Sequence, residues 1–70
     1  MSVANNQQRT INNIRRIIQE KGIKQTFVAK KAGMTDQQLT DILNNRRLLR
    51  VEHLSPLAQA LGVSVEKLIS

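Results

Sequence analysis

The chain has 70 residues, no cysteine, one histidine and a single phenylalanine as its only aromatic residue. That length holds one compact domain, and the missing cysteines exclude disulfides and thiolate metal sites; no metal, cofactor or small-molecule ligand is expected. Eleven Lys and Arg against five Asp and Glu give a net charge of +6, which points to a polyanionic partner, nucleic acid before membrane.

The charge is unevenly spread. Residues 1–22 carry +3 and residues 23–50 carry +4, whereas residues 51–70 hold Lys67 against Glu52 and Glu66. The last third therefore reads as scaffold. Met1 to Thr10 is polar and lacks the apolar core of a secretion signal. No apolar run approaches the roughly 18 residues of a membrane span, so the chain reads as cytoplasmic with no membrane partner. Residues 1–10 are expected to form a polar N-terminal arm and residues 11–70 the folded domain.

Glycines at 22, 33 and 62 each follow a stretch with helical spacing, as helix-ending glycines do. Ile11, Ile14, Ile17 and Ile18 form one apolar stripe of a first helix that stops at Gly22. A second helix fits Gln25 to Ala32, with Val28, Ala29 and Ala32 inward. Thr35 and Gln38 then read as a capping box, with Asp36 at the positive helix end. Leu39, Ile42 and Leu43 bury that third helix, which reaches about Asn45.

Asn44 to Arg50 is polar, basic and without apolar period, hence a loop. Leu54, Leu57, Ala58 and Leu61 mark a fourth helix ending at Gly62, with Pro56 expected in about its first turn. Ser64 caps a short fifth helix whose Val65, Leu68 and Ile69 close the core. Period-two alternation is missing, so the fold is expected to be all-α with five short helices. His53 is expected to be exposed and without a role, and Phe27 to pack on the first helix or the N-terminal arm.

The informative segment is Gln25 to Asn44: helix, tight turn, helix. Two helices crossing steeply need a small residue where they touch, which Ala29 supplies, and a turn residue with positive φ, which Gly33 supplies. With Val28, Ala32, Met34, Leu39 and Ile42 turned inward, the third helix leaves Thr35, Asp36, Gln37, Thr40, Asp41 and Asn44 outside. Gln37 has the donor and acceptor pair that matches adenine in the major groove. Gln38 would assist if its cap role leaves it free, and a threonine methyl suits a thymine methyl.

Gly22-Ile23-Lys24-Gln25 through Ala29-Lys30-Lys31-Ala32-Gly33 resembles the lambda repressor and Cro type of helix-turn-helix domain, the XRE family. So does Leu57-Ala58-Gln59-Ala60-Leu61-Gly62-Val63-Ser64-Val65. The resemblance covers about residues 11–69. It implies a lambda-repressor-like five-helix domain whose third helix enters the major groove of double-stranded DNA. It further implies that Gln25 clamps a phosphate and braces the third helix, and that Asn44 and the basic loop hold the backbone. Arg46, Arg47 and Arg50 are then the first phosphate candidates, with Lys24 and Lys30 behind them.

Two features depart from the family. Asp36 and Asp41 place acids on the reading face, where one account is acceptance from cytosine N4; Phe27 stands where relatives often carry a polar residue. The function expected is a sequence-specific transcriptional regulator, a repressor by analogy, acting as a homodimer on a palindromic operator. Val63, Val65, Leu68 and Ile69 are the expected dimer surface. The alternative is an antitoxin-type interaction module with secondary DNA binding. Catalysis lacks a residue set, and RNA binding lacks a stacking platform.

Overall fold

Helix α1 runs from Val3 to Lys21 in the computed structural model, which describes residues 3–70, with side chains from Gln7 onward. It is followed by α2 (Gln25–Lys31), α3 (Asp36–Leu43), α4 (Val51–Leu61) and α5 (Val65–Ile69). The described residues contain no strand, and none of their helices is long and apolar enough to cross a membrane. The architecture is the expected all-α, five-helix one.

The first helix is longer than its isoleucine stripe. Residues 3–10, expected as an arm, form its opening turns; Met1 and Ser2 of that arm lie outside the described residues. No glycine or proline interrupts this stretch, and Gln and Arg are good helix formers. Thr10 is buried, and Gln7 and Gln8 bond to distant parts of the chain.

One core joins the helices. Ile11, Ile14 and Ile17 of α1 pack with Val28 and Ala29 of α2, Leu39 and Leu43 of α3, Leu57 and Leu61 of α4, and Leu68 of α5. Ala29 is 1% exposed, as a helix crossing point requires. Gly33 turns the chain from α2 to α3 at φ 76, with no atom within 4 Å of a would-be Cβ. The demand there is thus backbone conformation rather than space.

Four helices end in the same way. A residue at or just after the cap adopts positive φ and its N–H returns to the last turn, while the next N–H reaches one residue further back. Gly22 and Ile23, Gly33 and Met34, and Gly62 and Val63 form three of these closures. Asn45 and Arg46 form the fourth, with Asn45 at φ 63 and its N–H donating to the Ile42 carbonyl. Asparagine is among the few side chains that tolerate this conformation. Where the other three closures carry Ile23, Met34 and Val63, half-buried on the core, the fourth carries exposed Arg46. After α3 the chain therefore turns outward.

Helix α4 begins at Val51, earlier than its apolar spacing suggests, so Pro56 lies in the second turn rather than the first. The carbonyl left unpaired by its missing N–H belongs to exposed Glu52. The early start has a visible cause: His53 is half-buried and its Nδ1 accepts the Arg50 backbone N–H at 3.2 Å. His53 is thus a capping residue, not the idle surface group expected. Phe27 also differs from expectation. It is 48% exposed and carries the Lys31 ammonium 5.6 Å from its ring centroid, a cation–π pair on the surface.

Asn13 is a buried polar residue that apolar spacing does not flag. Its Nδ2 donates to the Leu68 carbonyl at 2.7 Å and to the Ser70 carbonyl at 3.0 Å, tying α1 to the end of α5. Asn13→Ala leaves those carbonyls without this donor. We expect a loss of about 1–2 kcal/mol, read as a lowered midpoint in urea unfolding with an unchanged m-value.

Candidate nucleic-acid interface

Helix α3 has only eight residues, and isolated helices below about 12–15 residues are marginal in water. Its outer face is therefore only as well placed as its attachments. At the N-terminus the expected capping box is present: Thr35 Oγ1 accepts the Gln38 N–H at 3.0 Å, and Gln38 Oε1 accepts the Thr35 N–H at 2.8 Å. This spends the Gln38 carbonyl and leaves the side chain half-buried. Its cap role therefore does not leave Gln38 free for a two-pronged bond to a base.

In the middle, Gln25 at the start of α2 donates from Nε2 to Thr40 Oγ1 at 2.7 Å. The brace that family resemblance implied for Gln25 is a direct bond between the two helices of the motif. It also draws Thr40 into a half-buried position.

The acids on this face acquire separate explanations. Asp41 Oδ1 accepts from Gln37 Nε2 at 2.9 Å, one turn away along the helix. The carboxylate thus pins the exposed Gln37 amide, leaving its carbonyl and second N–H for an external partner. The Asp41 backbone carbonyl also accepts from Arg46 and Arg47 N–H, at 2.7 and 3.3 Å. Asp36 is exposed in the first turn, where a negative charge offsets the unpaired N–H groups. Thr35 and Asn44 complete the exposed rim.

The C-terminus of α3 is held by a residue that composition alone would assign to surface charge. Arg15 of α1 donates from Nη2 to the Leu43 carbonyl at 2.9 Å and to Asn44 Oδ1 at 3.1 Å. A guanidinium at the negative end of a helix is favourable on both hydrogen-bonding and dipole grounds. The Asn44 carbonyl is consequently engaged, and its amide N–H group is what remains to meet a partner.

Beyond α3 the loop presents Arg46, Arg47 and Arg50, all exposed, as are Lys24 and Lys30 beside α2. Arg47, Leu48, Arg50, Glu52 and His53 line an open hollow of about 310 Å³ between this loop and α4. Leu48 in its wall is 63% exposed, and Val51 at the start of α4 is 84% exposed. The surface expected on α5 is different: Leu68 is fully buried, Val63 and Val65 pack on the core, and only Ile69 is left exposed. Leu68 faces inward because α5 closes the core against α1, so it cannot serve a partner.

This combination is a short exposed helix, braced by its partner helix and flanked by exposed cationic side chains. It defines a DNA-binding helix-turn-helix domain. The chain belongs to the helix-turn-helix family of the XRE type, whose family model matches residues 14–68. It is 40% identical over 58 residues to an uncharacterized HTH-type transcriptional regulator of Sinorhizobium fredii, y4dJ; that stretch covers 83% of this chain and 75% of the relative. No solved structure gives a significant match.

The Arg15 attachment makes a prediction about local order. Arg15→Met keeps the aliphatic stem and removes both bonds to the end of α3. Amide exchange at Asn44 and Asn45 should accelerate, with a loss of global stability of about 1 kcal/mol. Unchanged exchange at those two amides would show that the guanidinium does not hold the helix end.

Proposed function

We propose that this chain is a sequence-specific DNA-binding transcriptional regulator, a repressor, that reads the major groove with the exposed face of α3. The observation that carries the reading is the Gln37–Asp41 pair. An amide already oriented by a carboxylate on its own helix meets a base edge with less side-chain entropy to lose. Gln37 contacts an adenine through its carbonyl and second N–H, with Thr35 and Asp36 alongside at the positive helix end. Gln25 uses its remaining amide proton on a phosphate, and Asn44 its N–H group. Arg46, Arg47 and Arg50 neutralise further phosphates, with Lys24 and Lys30 adding to the field.

Half a site read by one short helix binds weakly, so the reading includes a homodimer on a palindromic operator. Two-fold pairing sets the reading helices about 34 Å apart, one turn of DNA. We assign the contact to Leu48 and Val51, the most exposed of the large apolar side chains.

Selection of duplexes from a random pool tests the proposal as a whole. Inverted half-sites about 10 base pairs apart are expected, and enrichment of no sequence at low salt would end it. On the selected operator, Gln37→Ala should cost about 1–3 kcal/mol in binding while leaving affinity for random duplex unchanged; equal losses on both would remove Gln37 from base reading. Replacing Arg46 and Arg47 with alanine should weaken binding to every sequence. The slope of log affinity against log salt should flatten by about 0.9 for each phosphate that is no longer neutralised.

A further inference from the structure

The opening turns of α1 and the basic loop are joined by a run of side-chain amides with one consistent direction. The Leu49 backbone N–H donates to Gln7 Oε1 at 3.1 Å. Gln7 Nε2 points to Asn45 Oδ1 at 3.4 Å, Asn45 Nδ2 donates to Gln8 Oε1 at 2.9 Å, and Gln8 Nε2 donates to Asn12 Oδ1 at 2.9 Å. A backbone N–H can only donate, so the Leu49 bond fixes which way Gln7 faces. Each following amide then has only one orientation that satisfies its neighbour. Gln7 reaches across 42 residues of sequence and Gln8 across 37.

The loop is gripped on both sides of Arg46 and Arg47 and just before Arg50. Asn45 immediately precedes Arg46 and Arg47, and Leu49 immediately precedes Arg50. Asn45 is also the residue in the left-handed conformation that turns the chain away from α3. Its side chain therefore ties the position of the turn to α1, while its backbone makes the turn. Glycine would serve the backbone at least as well. An asparagine here adds the one thing glycine lacks, an amide that α1 can hold.

We propose that Gln7, Gln8 and Asn45 are positioning residues for DNA binding. They fix the loop that carries Arg46, Arg47 and Arg50 against α1, so that these side chains meet the phosphates without an ordering penalty at the moment of association. The proposal rests on the DNA-binding reading above and assigns to the start of α1 a part in affinity without contact to bases. An untethered loop has to be ordered on binding, and that cost lowers affinity for all sequences alike.

Asn45→Gly separates the two roles, since it keeps the left-handed turn and deletes the amide. Wild type, Asn45→Gly and the Gln7→Ala/Gln8→Ala double variant are titrated with the selected operator and with random duplex, alongside thermal unfolding and Leu49 amide exchange. Both variants should bind both duplexes about three- to tenfold more weakly, the equivalent of one ordinary hydrogen bond or slightly more. Asn45→Gly should unfold near the wild-type temperature, because glycine's ease in the left-handed turn offsets the lost amide bonds; a binding loss that merely tracked a fall in unfolding temperature would overturn the positioning role. The double variant should also exchange its Leu49 amide faster. Variants that bind as wild type does would overturn the clamp while leaving the DNA reading intact. A wild-type chain that binds no duplex would overturn the DNA reading, and this proposal with it.

Discussion

An eight-residue helix must present a fixed face to the outside, and its own hydrogen bonds are too few to keep it there. Everything around α3 answers that constraint. Leu39, Ile42 and Leu43 sink its inner stripe into the core, which sets its roll angle. Thr35 and Gln38 close its first turn, Gln25 bonds its middle, and Arg15 closes its end. Those attachments come from α1, α2 and α3 itself, so displacing its outer face requires breaking several bonds together. Rigidity of this kind is what the proposed groove-reading role needs, because rocking of the helix weakens directional bonds to bases sooner than it weakens attraction to phosphates.

In the proposed reading, charge and specificity are divided between different parts of the surface. The exposed arginines and lysines supply attraction for any polyanion. The face of α3 by contrast carries no cation, being made of amides, hydroxyls and two carboxylates. Asp41 is better understood as the partner of Gln37 than as a group awaiting a base. An acid there repels phosphate modestly, yet it orders the side chain proposed to read sequence. The loop after α3 follows the same economy of parts, since the left-handed turn at Asn45 both ends the helix and sends Arg46 outward.

Much of the fold was legible in the chain itself. The isoleucine stripe, the inward positions of α2 and α3, the Thr35 box and the Ser64 cap all depend on residues within one or two turns, and all lie where spacing puts them. Most features that differ from expectation have another origin. The length of α1 and the exposure of Phe27 and Ile69 depend on what another segment brings alongside, whereas the cap made by His53 is local to the start of α4. No local pattern marks them, although the histidine three residues after Arg50 resembles a capping arrangement once the helix start is known.

The amino-acid sequence by itself determined the helix count, the glycine-marked ends, the buried stripes and the placement of positive charge in the first two-thirds of the chain. These follow from backbone sterics and helical periodicity, which act over a few residues. Only the tertiary structure decided that Arg15 holds the end of α3, that Gln25 bonds Thr40, and that Gln7 and Gln8 grip Asn45 and Leu49. Those bonds join residues 15 to 42 positions apart, and a polar side chain has no preferred distant partner until core packing has set the distance between the two helices that carry it.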